Sequence, residues 1–191
     1  MGTFVIRPAS KSDCRVIAEF NRISSGGVCD YIWQKISGPG DDLLDIDQQR
    51  FEREDADISY RNASVVEDED EIVGILLAYK MTVDPNHVES DPVLKPYNIL
   101  EEDESCYIAA MAIKESHRGR GIGGRLLALA EAQARERGLG KMSLIVIEKN
   151  SAAKRLYERN GYSTTAREAT VAHSMIDHDG DALLMVKQLK T

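Results

Sequence analysis

The stretch that decides the fold is "AMAIKESHRGRGIGGRLLALAEAQ", from Ala110 to Gln133. An apolar run enters it, the glycine-rich run "RGRGIGG" (Arg118 to Gly124) interrupts it, and a helix-forming run leaves it. Four glycines stand within six residues, flanked by Arg118, Arg120 and Arg125. An inert turn needs one or two. A glycine-rich loop that leads into a helix offers unpaired backbone N–H groups and the positive end of the helix dipole. Glycine also lets a ligand approach that backbone closely. The run therefore reads as a phosphate site, and three chemistries compete for it.

A magnesium-nucleotide loop needs G-x-x-x-x-G-K-[ST]. Gly119 and Gly124 have the spacing, but Arg125 and Leu126 follow, so the phosphate-reaching lysine and the metal-binding hydroxyl are both missing. A dinucleotide fold fits better at first sight, because Gly119, Gly121 and Gly124 spell G-x-G-x-x-G, and Glu148 ends the next strand where a ribose hydroxyl would need an acceptor. Its context is wrong. "KESHR" separates the strand from the first glycine, and the run begins more than halfway along the chain. After Glu148 there remain one helix and a hairpin, not a second mononucleotide-binding half. The third chemistry depends on the segments that surround the run.

Working outward, "SCYIAAMAI" reads as a strand buried on both faces. "GIGGRLLALAEAQARERG" reads as a helix with Ile122, Leu126, Leu129, Ala130 and Gln133 along one face, ended by Gly138. "KMSLIVIE" is a second strand, so this β-loop-α-β unit predicts a parallel pair with a right-handed crossover. Asn150 caps a helix over "SAAKRLYERN", closed by Gly161. Two strands follow around "DHDGD".

Upstream, "TFVIRP" predicts a short strand, and Ser12 or Asp13 a cap for the next helix. "SSGG" (Ser24 to Gly27) breaks that helix, and "VCDYIWQKI" and "DDLLDIDQQRFEREDAD" suggest two more. "RNASVVED" and "EIVGILLAYKMT" flank the acidic turn "DEDE" as a hairpin. Residues 84–104 hold three prolines and seven carboxylates and read as a long exposed insertion.

Composition narrows the class. The 191 residues suffice for one domain with a real core, so 1–191 is read as a single domain carrying the insertion at about 84–104. A net charge of −8 argues against nucleic acid and against anionic membrane. The longest apolar run, "IVGILLAY", is too short to span a bilayer, and "MGTFVIRPAS" lacks a signal-peptide pattern. Cys14, Cys29 and Cys106 are scattered and odd in number, with no metal-ligand spacing, which implies free thiols in a reducing cytoplasm and no metal.

Arg118-x-x-Gly121-x-Gly123 matches [QR]-x-x-G-x-[GA], and "LIVIEKNSAAKRLYERNGY" carries a Tyr-x-x-x-Gly-Tyr ending. With "FVIRPASKSD" as the opening strand and helix, these segments in this order resemble the GNAT superfamily of acyl-CoA N-acyltransferases. Glu115 stands where many members carry proline. The resemblance implies an α/β, α+β-type GNAT-like fold. Its central sheet is mixed, mostly antiparallel, splayed between the fourth and fifth strands and flanked by helices.

The resemblance also implies a chemistry. Acetyl-CoA is the acyl donor, and a primary amine of a small molecule, peptide or protein, a cationic acceptor among the candidates, attacks its thioester directly. Backbone of Met111, Ala112 and Ile113 pairs with pantetheine and polarises the carbonyl. Gly119, Gly121, Ile122, Gly123 and Gly124, with Arg118 and Arg120, hold the pyrophosphate. Asn150 and Ala153 touch pantetheine. Tyr157, two helical turns beyond Asn150, protonates the leaving thiolate. The general base stays open among Glu104, Tyr107, Glu102 and His173, with Glu104 preferred. "SSGGVCDYIWQ", with Tyr31 and Trp33, would line the acceptor, and the acidic insertion would steer a cation to it. A catalytically silent acyl-CoA-binding module is the alternative, and monomer and homodimer are both open.

Overall fold

The computed structural model describes residues 4–178 and 180–190. Its strands are β1 (Val5–Pro8), β2 (Ala63–Asp68), β3 (Glu71–Lys80), β4 (Cys106–Ile113), β5 (Lys141–Ile147), β6 (Ser163–Glu168) and β7 (Ala182–Gln188). They form one sheet in the order β1-β2-β3-β4-β5-β7-β6. The helices are α1 (Cys14–Ser25), α2 (Val28–Ile36), α3 (Leu43–Phe51), α4 (Lys95–Ile99), α5 (Ile122–Glu136) and α6 (Ser151–Arg159).

The pairings β1–β2, β2–β3, β5–β7 and β6–β7 are antiparallel, and β4–β5 is parallel. The expected parallel pair is therefore present, with α5 between its two strands in the chain. The β4–β5 register runs from Cys106↔Met142 to Ile108↔Leu144, at the start of both strands. By contrast β5 pairs with β7 along its whole length, Lys141↔Gln188 to Ile147↔Ala182. This is the mixed, open, helix-flanked sheet anticipated from the sequence.

The chain divides into two compact units. The first holds the described part of 1–78 with Ala110–Ile122 and Met175–Asp177. Its core is helical on one side: Ile17 and Phe20 of α1, Trp33 of α2 and Phe51 of α3 are all buried. α1 ends at Gly26 (φ 56°), and Gly27 (φ 93°) precedes α2. The Asp177 N–H donates to the Gly26 carbonyl at 2.9 Å. A Cβ on Gly27 would lie 1.9 Å from the Met175 carbonyl oxygen, so only glycine fits there.

One expected cap is built differently. Asp13 precedes α1, but its carboxylate makes no cap bond to that helix. It turns back to the Ser10 N–H and hydroxyl, both at 2.7 Å, closing a 3-10 turn over Lys11–Asp13. Arg7 donates to both Asp13 oxygens (2.7 and 3.1 Å) and to Glu67 of β2 at 2.6 Å. The bond from Arg7 holds the Asp13 carboxyl down at about 2, against its partial burial.

The second unit holds Tyr79–Ala109, Gly123–Ser174 and the chain from His178 on. Leu126, Leu127, Ala130 and Ala134 of α5 are buried, as are Met142 and Leu144 of β5 and Met185 of β7. The stripe sits one step round from the expected face: Leu129 and Gln133 are half-buried. Gly138 and Gly161 end α5 and α6 as expected. In each case the next residue's N–H reaches back five residues (Leu139 to Ala134, Tyr162 to Tyr157).

Two expectations need correction here. β4 is not closed on both faces: its residues alternate between buried and half-buried as far as Ala110, then stay half-buried. Nor are residues 84–104 simply an exposed loop. They contain α4, and Val93, Pro96 and Leu100 are buried. Leu100 joins Ala182, Leu184 and Val186 in one apolar cluster, with Tyr97 packed against it. The three prolines mask a short apolar motif, Val93 to Leu100, that a carboxylate count does not reveal.

Candidate active site

The glycine loop lies in the first unit. β4 ends at Ile113, and the Lys114 N–H donates to the Val73 carbonyl of β3 at 2.8 Å, which fixes where the loop departs. A 3-10 turn over Glu115–His117 follows. The residue Glu115 thus starts a turn at the position where a proline was the alternative. Arg118 is extended, and its Nε donates to the Ile113 carbonyl at 3.3 Å. Gly119 (φ 74°) and Gly121 (φ 80°) are exposed, and a Cβ on either would meet nothing within 4 Å. The 15 residues of α5 begin immediately afterwards, at Ile122. A helix of that length presents its free N–H groups and positive dipole end at this point.

Charge around the loop is shared out. Arg120 Nη1 lies 2.8 Å from Asp68 Oδ2, at the end of β2. His117 Nε2 lies 3.2 Å from the same oxygen. Met111, Ala112 and Ile113 are half-buried, so their backbone is neither lost in the core nor fully solvated.

Gly123, Gly124, Asn150, Ala153, Tyr157 and Glu104 lie in the second unit. Asn150 caps α6: its side-chain oxygen accepts the Ala153 N–H at 3.2 Å. Tyr157 lies two turns on and is only 8% exposed. Its ring tilts against Tyr162 at 5.9 Å between centroids. Burial pushes its hydroxyl up to about 12, so the phenol keeps its proton across the neutral range. Gly124 lies inside α5, 4.0 Å (from an added Cβ) from the Asn160 side chain.

The candidate bases are placed unequally. Glu104 has a positive φ of 55°, rare for glutamate, and is exposed. Its N–H donates to the Met81 carbonyl at 3.0 Å, and its carboxylate lies 2.8 Å from Lys80 Nζ. Glu102 is engaged by Lys141. Tyr107 packs edge-on against Tyr79 at 5.7 Å. His173 is half-buried outside any strand or helix. Glu148 is held by Arg167, which removes the ribose acceptor that a dinucleotide site would need.

The expected acceptor wall is corrected in part. Trp33 is 3% exposed, with the Arg50 guanidinium 4.3 Å over its ring, so it is a core residue of the helical layer. Tyr31 is half-buried, with Lys35 over its ring at 5.3 Å. Reasoning from sequence missed Asp68 as a partner of the loop. Its signal was faint: one carboxylate in the acidic turn "DEDE" region, 52 residues from Arg120.

Comparison with known proteins identifies the family. The model of the acetyltransferase (GNAT) family matches residues 29–162. An uncharacterized N-acetyltransferase, YycN of Bacillus subtilis (strain 168), is 34% identical over 62 residues, 32% of this chain. That match spans 40% of the relative's own length. Among solved structures, an N-acetyltransferase from Staphylococcus aureus Mu50 superposes with a TM-score of 0.66 at 18% identity, covering 95% of this chain and 99% of that one. The yncA protein of Salmonella typhimurium, a putative acetyltransferase solved with its cofactor acetyl-CoA, has a TM-score of 0.63 at 21% identity, covering 98% and 94%. Likeness at that identity speaks for the fold. Among the described residues no helix is long and apolar enough to cross a membrane.

Proposed function

Because the chain belongs to the GNAT acetyltransferase family, we propose that it is an acetyl-CoA-dependent N-acetyltransferase acting on a primary amine by direct attack. The observation that carries this reading is the glycine loop. Two exposed glycines at positive φ, with open space where a Cβ would sit, leave backbone N–H groups accessible directly ahead of a 15-residue helix. Those donors fit a pyrophosphate.

Acetyl-CoA, when bound, supplies an acyl group on a thioester whose sulfur leaves as a thiolate. The amides of Gly119, Gly121, Ile122, Gly123 and Gly124, with the Arg118 and Arg120 side chains, bind its pyrophosphate. Backbone of Met111, Ala112 and Ile113 aligns the pantetheine arm, and an N–H there polarises the carbonyl. Asn150 and Ala153 orient the same arm while Asn150 caps α6. Tyr157 holds its proton until negative charge develops on sulfur and then donates to it. Glu104 takes the proton that the incoming ammonium must lose, and Lys80 holds its carboxylate at the exposed start of β4. Three cysteines, none in a disulfide, fit a cytoplasmic enzyme.

Calorimetry with acetyl-CoA tests the reading first: folded protein that fails to bind it rules the function out. Released-thiol detection across a panel of amines then finds the acceptor. Binding without turnover on every amine would leave a CoA-binding module. Once an acceptor is known, Tyr157→Phe should lower kcat about 100-fold with acetyl-CoA affinity within twofold of wild type. Equal loss of both would make Tyr157 a packing residue.

A further inference from the structure

Asp68 ends β2, immediately before the two-residue turn into β3, and it is not on the glycine loop. Its side chain is 15% exposed, yet a single oxygen, Oδ2, serves two loop residues. Arg120 Nη1 is 2.8 Å away and His117 Nε2 is 3.2 Å away. These two residues bracket Arg118 and Gly119. The histidine has a partner at each ring nitrogen: Nδ1 lies 2.8 Å from the Ser116 hydroxyl, and Nε2 faces Asp68. The Asp68 turn is itself anchored. Asp68 pairs with Glu71 in the β2–β3 register, and Lys114, at the root of the loop, is bound both by Glu71 and by the Val73 carbonyl.

A loop built from Gly119 and Gly121 has large conformational freedom when nothing holds it. No side-chain packing restrains those two positions, since nothing lies within 4 Å of where a Cβ would be. The restraint must come from the residues between and beside them. An arginine that is already ordered loses less freedom on gripping an anion than one that is not.

We propose that Asp68 is a positioning residue for the acyl donor, a staple from the β2–β3 hairpin that holds His117 and Arg120 so that the glycine loop is set before the pyrophosphate arrives. The proposal rests on the reading of the loop given above. Asp68 touches no substrate; it acts through Arg120 and His117. It also offsets part of the arginine's charge, and the inference is that the gain in order outweighs that loss.

Calorimetry with two probes tests this. One is acetyl-CoA, and the other is S-acetyl-pantetheine, which has the same thioester and no pyrophosphate. Asp68→Asn should weaken acetyl-CoA binding about tenfold and leave S-acetyl-pantetheine binding unchanged. Asp68→Glu should recover part of the loss. In an Arg120→Ala, His117→Ala background, Asp68→Asn should have little further effect. Equal weakening of both probes would reduce Asp68 to a structural residue. Unchanged or tighter acetyl-CoA binding in Asp68→Asn would show that the carboxylate only competes for Arg120. Either result overturns the staple. Wild type that binds no acetyl-CoA would instead fail the reading of the loop itself, and the staple with it.

Discussion

Gly26 and Gly27, between α1 and α2, have φ of 56° and 93°; Gly119 and Gly121, in the loop before α5, have φ of 74° and 80°. All four have positive φ, and both pairs belong to the first unit. Their surroundings are opposite. A Cβ on Gly27 would sit 1.9 Å from the Met175 carbonyl oxygen and 3.1 Å from the Ile176 Cα. A Cβ on Gly119 or Gly121 would meet nothing within 4 Å. Gly27 is glycine so that the protein's own backbone can pack; Gly119 and Gly121 leave a backbone that the protein itself does not cover. Spacing in a sequence sees both as glycine runs, and only packing separates a closed junction from an open one.

Gly27→Ala attacks the closed side and carries the largest expected effect. The left-handed conformation costs about 1–2 kcal/mol for any residue with a Cβ. Here Met175 and its bond network must move as well, because the clash is with backbone. The total is about 4 kcal/mol or more, measured as the shift in urea midpoint. A loss below about 1 kcal/mol would mean that the junction is not closed, and the contrast would fail.

Gly121→Ala probes the open side. With space for the methyl group, the fold should survive at a cost of about 1–2 kcal/mol. Acetyl-CoA affinity should fall about 30-fold, since the new methyl group occupies the approach to the loop's N–H groups. Gly138→Ala is the matching control. It shares positive φ (71°) and open surroundings but only ends α5. It should lose similar stability and no affinity. Equal affinity in all three proteins would show that open space at Gly121 has no ligand to admit.

Much of this was legible beforehand for physical reasons. The α5 and α6 boundaries follow from Gly138, Asn150 and Gly161, whose side chains or lack of them act within a few residues. The β4–α5–β5 crossover follows from hydrophobic period and handedness. What escaped was non-local. Asp68 reaches Arg120 across 52 residues of chain, and no periodicity encodes such a pair. Trp33 sits in a helix whose apolar residues predict an inner face, yet which partner covers that face depends on α1 and α3. Val93 to Leu100 contains too few residues for a period to register. Roles at the acyl site, in contrast, came from resemblance to a family and await the measurements above.

The closed layer holds buried polar atoms that sharpen the comparison further, and a carboxylate is among them. Asp68 beside the open loop keeps two donors; Asp47 of α3 is 1% exposed and accepts the Asn21 amide at 2.9 Å. Its Oδ1 and the Trp33 Nε1 are both buried and fall outside hydrogen-bond geometry among the described residues, although the Trp33 indole still favours the charged carboxylate. Burial pushes the Asp47 carboxyl up to about 6, against the pull of the Asn21 bond, the Arg50 charge and the Trp33 indole. The sign follows from linkage. Between about pH 4 and 6 the folded chain keeps a proton that the unfolded chain has released, so this group's contribution to stability falls as pH rises through that window and is constant above it. Asp47→Asn removes the titration. Relative to wild type, the variant should gain on the order of 1–2 kcal/mol between pH 4.5 and pH 7, read from paired urea midpoints. Asp13, held down at about 2 by Arg7, titrates below that window with the opposite sign, so it does not blur the difference. A variant that tracks wild type at both pH values would mean that water reaches Asp47 and that the helical layer is not closed. The contrast with the glycine loop would then be one of degree.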